Sequence, residues 1–203
     1  MLGALDRLDP PARRILIGAP AGTGKTTLAR RLHVRTGVPY EELDALFHGP
    51  GWTELPGFRD DVAAFAARDA WITEWQYTTQ LGDLLPSRAD TLVWLDLPVT
   101  VHMGRLIRRT LHRRWYRVPL WHGNVEPPLR TILTDPAHII RWGWEGRSKL
   151  RQRIVRAAIA HPHLRIVRLR SSREVDLWLR AQPCSAPPPA GPPPAGQPPA
   201  ASG

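Results

Sequence analysis

A glycine-rich segment near the N-terminus constrains the fold of this chain more than any other feature. The apolar run Ile15–Gly18 is followed by Ala-Pro-Ala-Gly-Thr-Gly24 and then Lys25, so a buried strand meets a glycine-rich turn that opens a helix. In such a turn, glycines let successive backbone N–H groups point inward at phosphate oxygens, and the helix N-terminus adds a partial positive charge. The segment therefore predicts a phosphate-binding loop that holds a nucleotide.

Two side chains of this loop have specific predicted roles. Lys25, which we expect to lie exposed at the loop, is predicted to contact the β- and γ-phosphates of ATP. The hydroxyl of Thr26 is predicted to hold Mg²⁺. The predicted nucleotide-binding residues of the loop are Ala19, Ala21, Gly22, Thr23, Gly24, Lys25, Thr26 and Thr27.

The glycine spacing departs from the usual G-x-x-x-x-G-K-T pattern at one position. That pattern places a glycine five residues before Gly24, where this chain has Ala19, and Gly18 stands one residue too early. Either Ala19 is compatible with the turn or the loop is one residue longer than usual.

Strand-like and helix-like segments alternate along the chain. The near-continuous apolar run at 91–97 is typical of a strand that is buried on both faces of a parallel sheet. Five strands that alternate with helices predict an α/β domain with a parallel sheet. The predicted strands are 13–18, 38–40, 70–73, 91–97 and 164–169, and the predicted helices are 25–36, 58–69, 77–85, 99–114, 136–160 and 171–180.

The C-terminal segment differs from the rest in composition. Residues 183–203 contain nine prolines and no charged side chain. Such a segment cannot bury enough apolar surface to offset its chain entropy, so we predict a disordered, proline-rich tail. Residues 1–182 are predicted to form one domain, which carries an insert at about 105–135 without a clean hydrophobic period after residue 115.

The charge of the chain is unevenly distributed. Residues 1–96 contain 10 basic and 13 acidic side chains, whereas residues 97–203 contain 18 basic and 5 acidic, which gives net charges of −3 and +13. A strongly basic half favours an anionic partner, either a nucleotide, another phosphorylated molecule or nucleic acid. The alternative is a solvated surface in an arginine-rich composition.

Cysteine usage and hydropathy exclude several classes of protein. The single cysteine, Cys184, excludes an intramolecular disulfide and a cysteine metal site. No apolar run is long enough for a membrane helix, and the first ten residues do not have the pattern of a signal peptide. We therefore expect a cytoplasmic protein that has no membrane partner.

Three acidic residues follow or end predicted strands. Because ligands of an open parallel sheet lie outside the carboxyl ends of its strands, these carboxylates are candidates for the site. Asp44 is predicted to orient or deprotonate the phosphoryl acceptor, and Glu74 is predicted to be both catalytic and an Mg²⁺ ligand. Asp96 is predicted to be a further Mg²⁺ ligand. The alternative for each is a helix cap or a surface carboxylate.

The helix after the fourth predicted strand is rich in arginine. Guanidinium groups at spacings of three and four residues lie on neighbouring faces and repel one another, so a nearby anion would stabilise them. We predict that Arg109, Arg113 and Arg114 contact phosphate as part of a catalytic lid, and that Arg108 and Arg117 are solvated. The aromatic residues that follow, from Trp115 to Trp121, are predicted to form a small core rather than to stack on a base.

These features together resemble the small bacterial P-loop proteins known as adenylate kinase-like or topology modulation proteins. The resemblance implies a P-loop NTPase fold of the nucleoside-monophosphate-kinase type, a three-layer sandwich with strand order 2-3-1-4-5, and ATP binding. Many relatives carry Asp-Gly-Asn-Tyr where this chain has Glu74-Trp-Gln-Tyr77, which keeps an acid at position 74. Related folds place adenine near the loop after the last strand, which here ends at Arg173. The matching segments are 17–32, 43–52, 71–77, 89–98, 105–114, 120–129, 138–144 and 167–179.

The leading functional hypothesis is a phosphotransferase that uses ATP and Mg²⁺. Its acceptor, which the sequence does not identify, would bind between the helix at 58–69 and the arginine-rich helix. Two alternatives stay open: a nucleic-acid-associated or regulatory P-loop ATPase, and a nucleotide-binding module without turnover. The sequence contains no helix-turn-helix, zinc or RNA-binding signature to support the first of these alternatives.

Overall fold

A computed structural model describes residues 1–125 and 139–184, with the side chains of 139–147 left out. The strands form one five-stranded sheet in the order β2-β3-β1-β4-β5, and every pairing is parallel. This architecture confirms the predicted α/β fold and its strand order. The strands are β1 (Arg14–Gly18), β2 (Tyr40–Glu41), β3 (Trp71–Glu74), β4 (Thr91–Leu95) and β5 (Arg165–Leu169).

Most predicted helices are present with small shifts at their ends. The predicted helix at 77–85 is instead two short helices, because Gly82 adopts φ 55° and ψ −128°, which no helix allows. A five-residue helix at Leu43–Phe47 was not predicted, since it is too short to show a period. The helices are α1 (Lys25–Thr36), α2 (Leu43–Phe47), α3 (Phe58–Ala66), α4 (Thr78–Leu81), α5 (Leu84–Arg88), α6 (Val99–Trp115), α7 (Ile139–Ala160) and α8 (Ser172–Ala181).

The sheet is buried on both faces, which gives the three predicted layers. Side chains of β1 alternate between two hydrophobic clusters: Leu16 packs with α3, α5 and the C-terminal part of α7, whereas Ile15 and Ile17 pack with α1 and α8. This double burial explains why β1 and β4 are continuous apolar runs rather than alternating patterns. No helix among the described residues is both long enough and apolar enough to cross a membrane.

The strand order brings two strand ends next to the end of β1. Ile17 of β1 pairs with Glu74 at the end of β3, and Gly18 pairs with Trp94 of β4. The loop that follows β1 therefore begins between the carboxyl ends of its two neighbours. In a parallel sheet this is the position at which ligands bind.

The domain is anchored at its C-terminal end by α8. Ser171 caps this helix by accepting a hydrogen bond from the N–H of Glu174 at 3.1 Å. Gln182 is buried, and its carbonyl accepts a hydrogen bond from Nε of Arg35 at 2.8 Å. Residues 126–135 of the predicted insert and 185–203 of the predicted tail lie outside the described residues.

Deleting residues 183–203 is expected to leave the melting temperature and the nucleotide affinity unchanged. The cut preserves Gln182 and its contacts, and the removed segment has no charged and almost no large apolar side chains. Deleting 178–203 is the control, since it also removes Trp178, which is fully buried, and it should unfold the domain. Thermal unfolding and ATP titration measure both deletions; a fall of several degrees in the shorter one would show that the tail docks on the domain.

Candidate active site

The loop between β1 and α1 depends on two glycines with left-handed backbone conformations. Gly22 has φ 81° and Gly24 has φ 97°, values that residues other than glycine rarely adopt. A Cβ atom on Gly22 would also lie 2.3 Å from the carbonyl oxygen of His102 and 2.8 Å from Cβ of Leu106. The loop is therefore packed directly against α6, which holds it in place.

Ala19 causes no strain at the position where the usual pattern has glycine. None of the described non-glycine residues of the loop has a positive φ, so an alanine is compatible with the turn. Ala19 and Ala21 are both buried. The loop closes on itself where Thr23 donates its hydroxyl to the carbonyl of Pro20 at 2.7 Å.

The N-terminus of α1 is open toward the loop. Gly24 is its N-cap, and no side chain caps the helix there. The first backbone N–H groups of α1 therefore have no intrahelical or capping acceptor, and they carry the positive end of the helix dipole. This arrangement suits an anion such as a phosphate group.

Glu74 is the centre of the hydrogen-bond network beside the loop. It is 3% exposed, and its Oε1 accepts hydrogen bonds from Thr26 at 2.6 Å and from the hydroxyl of Tyr40 at 3.0 Å. Its Oε2 accepts a hydrogen bond from the amide of Gln76 at 2.7 Å and lies 4.0 Å from Nζ of Lys25. Three residues predicted from the sequence, at positions 25, 26 and 74, thus lie together.

Lys25 is buried, with only 8% of its surface exposed, so the prediction that it lies exposed at the loop was wrong. The carboxylate of Glu74, whose Oε2 lies 4.0 Å from Nζ of Lys25, offsets the cost of burying this charge. Thr27, which was also predicted to bind the nucleotide, is exposed in the first turn of α1.

Asp44 lies in α2 and is half-buried. Its Oδ1 accepts a hydrogen bond from the hydroxyl of Tyr77 at 2.5 Å, and the Tyr77 oxygen lies 3.0 Å from Nε2 of His48. Burial raises the pKa of Asp44, an effect that the hydrogen bond from Tyr77 opposes and the charge of Glu74 reinforces. The charge of Lys25 lowers the same pKa, so Asp44 is electrostatically coupled to the loop.

An aromatic cluster surrounds this carboxylate. Tyr77 stacks on Phe47 with ring centroids 4.1 Å apart, and His48 stacks on Trp121 with centroids 5.7 Å apart. Trp52 contacts His48 edge-on at 5.0 Å. Of the predicted aromatic core, only Trp121 lies in this cluster, because Trp115 is 84% exposed and Tyr116 is 67% exposed.

Asn124 connects the segment after α6 to the segment after α2. Its side-chain amide donates to the carbonyl of Gly49 at 2.9 Å, and its Oδ1 accepts from the N–H of Trp52 at 3.3 Å. Sequence reasoning did not select Asn124, Tyr40 or His48, because each depends on a contact between residues far apart in the chain. In the segment 71–77, which contains Tyr77, only Glu74 was predicted to be functional.

Asp96 pairs with an arginine of β5, whereas Glu74 contacts Lys25 and Thr26. Its carboxylate accepts hydrogen bonds from Arg168 of β5, from Nε at 2.9 Å and from Nη2. The Arg168 guanidinium also lies over the ring of Trp94, 4.4 Å from its centroid. The role of Asp96 as a metal ligand stays a prediction.

Arg105 of α6 contacts the loop. Its Nη1 lies 3.5 Å from the carbonyl of Thr23, and its Nη2 donates to the hydroxyl of Ser172 at 3.0 Å. The predicted lid residues Arg109 and Arg113 follow on the same side of the helix, about 6 and 12 Å further along its axis. Arg114 lines an open cavity at the end of α6 with Trp115, and Arg173 is exposed.

Replacing Gly22 with alanine is expected to destabilise the protein by about 1–3 kcal/mol and to weaken ATP binding, because the variant combines a positive φ with a clash against α6. Gly104→Ala is the matched control: Gly104 lies in α6 with open space around its Cβ position, so alanine should be neutral or slightly stabilising. Thermal unfolding and ATP titration measure both. Equal effects in the two variants would refute the packed geometry of the loop.

Comparison with known proteins adds a likeness in fold only. No protein-family model matches the chain, and no curated protein does. Among solved structures, a sugar kinase from a Janibacter species matches at 21% identity and a TM-score of 0.41, over 84% of this chain and 92% of that one. A gluconokinase from Sinorhizobium meliloti matches at 17% identity and a TM-score of 0.43, over 86% and 93%. A shikimate kinase from Bacteroides thetaiotaomicron matches at 13% identity and a TM-score of 0.43, over 83% and 95%.

Proposed function

We propose that this protein is an Mg²⁺-dependent phosphotransferase that moves the γ-phosphoryl group of ATP to a hydroxyl group of a small molecule. One observation carries the proposal: Lys25, Thr26 and Glu74 lie together beside a glycine-dependent loop at the open N-terminus of a helix. Lysine, hydroxyl and carboxylate in this relation are what phosphoryl transfer from a nucleoside triphosphate requires.

The residues present fit a magnesium ion bound together with phosphate. Mg²⁺ takes few protein ligands and completes its shell with phosphate oxygens and water. The described residues contain no group of three or more His, Cys, Asp or Glu side chains that would hold a metal by itself, which is consistent with such a shared site. Thr26 and Glu74 would hold the ion, and when bound it neutralises charge on the β- and γ-phosphates.

The chain's own cations supply the other part of the chemistry. The buried ammonium of Lys25 would contact the terminal phosphates and stabilise negative charge that develops during transfer. Arg105, which already contacts the loop, would bind phosphate oxygens beside the backbone N–H groups at the open N-terminus of α1. Arg109, Arg113 and Arg114 stay proposed lid residues, with Arg173 proposed near the adenine.

Asp44 is the proposed residue for the acceptor. Its electrostatic coupling to Lys25 and Glu74 supports a position beside the phosphates rather than at a remote surface. A carboxylate whose pKa is raised by burial is a better general base than an ordinary one. Asp44 would orient the acceptor hydroxyl and take up its proton. Membership of the adenylate kinase-like group is a finer part of this proposal, and it rests on the matching motifs alone.

An assay of ADP formation tests the proposed function. Purified protein is incubated with Mg·ATP and, in turn, with nucleosides, nucleoside monophosphates, sugars, polyols, oligonucleotides or water alone. We expect at least one small alcohol to increase ADP formation above the water control, with phosphate transferred to that alcohol. Stimulation by oligonucleotides alone would support the regulatory ATPase instead, and ATP binding without any ADP would support a module without turnover.

A further inference from the structure

Asp44 is the end of a chain of three hydrogen-bonded side chains. Tyr77 lies 2.5 Å from Asp44, and the same Tyr77 oxygen lies 3.0 Å from Nε2 of His48. Asp44 lies in α2, His48 directly follows α2, and Tyr77 directly precedes α4. Only Asp44 was expected to be functional, so the other two members of the chain need an explanation.

The single proton of the tyrosine hydroxyl determines the direction of these bonds. Tyr77 donates its proton to Asp44, so Nε2 of His48 must carry a hydrogen and donate it to the Tyr77 oxygen. Burial lowers the pKa of His48 and so favours the neutral ring, which then carries no hydrogen on Nδ1. Nδ1 is buried and has no hydrogen-bond partner among the described residues. The histidine thus acts here as a donor to the tyrosine.

The backbone of Tyr77 is in an unusual conformation. Its φ of 51° and ψ of 39° lie in the left-handed region, which costs free energy for a tyrosine. Trp52, whose ring contacts His48 edge-on, also has a positive φ, of 62°. Such strain concentrates at functional sites, where the surrounding contacts hold a side chain in one required direction. Here those contacts are the hydrogen bond to Asp44 and the stacking on Phe47.

The second carboxylate oxygen of Asp44 has a different environment. Tyr77 occupies Oδ1, whereas Oδ2 has no hydrogen-bond partner within residues 1–125 and 148–184. The geometry points to Tyr77 and His48 as positioning residues, which hold Asp44 by Oδ1 so that Oδ2 receives the hydroxyl of the acceptor. This inference rests on the proposed phosphotransferase function. Trp121 stacks on His48 and so connects the segment after α6 to the same chain.

Several groups around Asp44 act on its pKa in opposite directions. Burial and the charge of Glu74 raise its pKa, whereas Tyr77, Lys25 and His48 lower it. Removing the Tyr77 hydroxyl takes away a hydrogen bond to the ionised form, so the pKa of Asp44 should rise. Asp44 accepts a proton only when it is ionised. The acidic limb of the pH profile of kcat/KM should therefore move to higher pH in Tyr77→Phe.

The experiment compares Tyr77→Phe with Tyr116→Phe, a matched control at an exposed tyrosine outside the site. The side-chain carboxyl of Asp44 is followed by ¹³C NMR against pH in the full chain, and ADP formation from Mg·ATP is measured over the same pH range. In Tyr77→Phe we expect the Asp44 titration and the acidic limb to move to higher pH together. We also expect kcat to fall about tenfold at neutral pH, because Asp44 is no longer held in position, while the KM for ATP stays unchanged. The control should match the natural protein in all of these.

A second pair of variants tests the histidine and covers the case in which Tyr77→Phe does not fold. His48→Phe keeps a ring against Trp121 but removes the N–H donor, and it should shift the Asp44 titration in the same direction. His48→Gln retains a donor and should restore part of the loss. An unchanged Asp44 titration in Tyr77→Phe, or in His48→Phe if only that variant folds, would overturn the inference. The NMR titration requires no turnover, so this outcome is distinct from a failure of the proposed function, in which no variant forms ADP.

Discussion

Replacing Lys25 with methionine is expected to lower kcat/KM for Mg·ATP roughly 100- to 1,000-fold while the protein stays folded. The ammonium of Lys25 is the proposed contact to the terminal phosphates, and its Nζ lies 4.0 Å from Oε2 of Glu74. Its loss removes positive charge where negative charge develops in the transition state. The effect should appear in kcat as well as in ATP affinity.

The fold is expected to survive for a reason that only the structure supplies. Lys25 is buried, so its removal would strand a buried carboxylate if Glu74 had no other partner. Glu74 keeps three hydrogen bonds, from Thr26, Tyr40 and Gln76. Methionine also fills most of the space that the lysine stem leaves, which limits the cost of a cavity.

Lys149→Met is the matched control, because the chain has only two lysines and Lys149 lies on the exposed surface of α7. Steady-state ADP formation, ATP titration and thermal unfolding are measured for both variants. We expect the control to keep its activity. Equal activity in a folded Lys25→Met variant would show that the loop does not bind triphosphate in the way proposed.

Replacing Glu74 with glutamine is expected to have the second large effect, a fall in activity of roughly 1,000-fold at low Mg²⁺ that added Mg²⁺ relieves in part. Glutamine has nearly the same shape, so the change removes charge without removing volume. One of its terminal atoms becomes an NH₂ group, which is a donor. It then faces the hydroxyl of Thr26 or the amide of Gln76, from which the carboxylate had accepted hydrogen bonds. A loss of stability of about 1–3 kcal/mol should accompany the loss of activity.

A magnesium titration separates the roles of the two candidate metal ligands. If Glu74 holds the ion, Glu74→Gln should raise the Mg²⁺ concentration needed for half-maximal ADP formation. Asp96→Asn should raise it as well only if Asp96 is a ligand, and otherwise it should mainly lower stability through its pair with Arg168. Glu41→Gln is the control, since Glu41 forms a surface ion pair with Arg68 that contributes little. A normal Mg²⁺ dependence in Glu74→Gln would remove Glu74 from the metal site.

The sequence by itself determined the parts of this protein that depend on local order. A strand, a glycine-rich turn and the start of a helix are contiguous, so the loop and the roles proposed for Lys25 and Thr26 followed from residues next to one another. The acid at position 74 followed from a general rule, that parallel strands end at one edge of the sheet. The strand order followed from the resemblance of the motifs.

Only the tertiary structure decided which side chains meet across the site. Three findings depend on contacts between separate elements: the burial of Lys25, the contact of Arg105 with the loop, and the pairing of Asp96 with Arg168. The chain from Asp44 through Tyr77 to His48 could not be predicted either, because a tyrosine in the left-handed region has no sequence signal comparable to glycine. The physical reason is general: local sequence determines backbone conformation, whereas the direction of a side chain depends on the packing of residues that are distant in the chain.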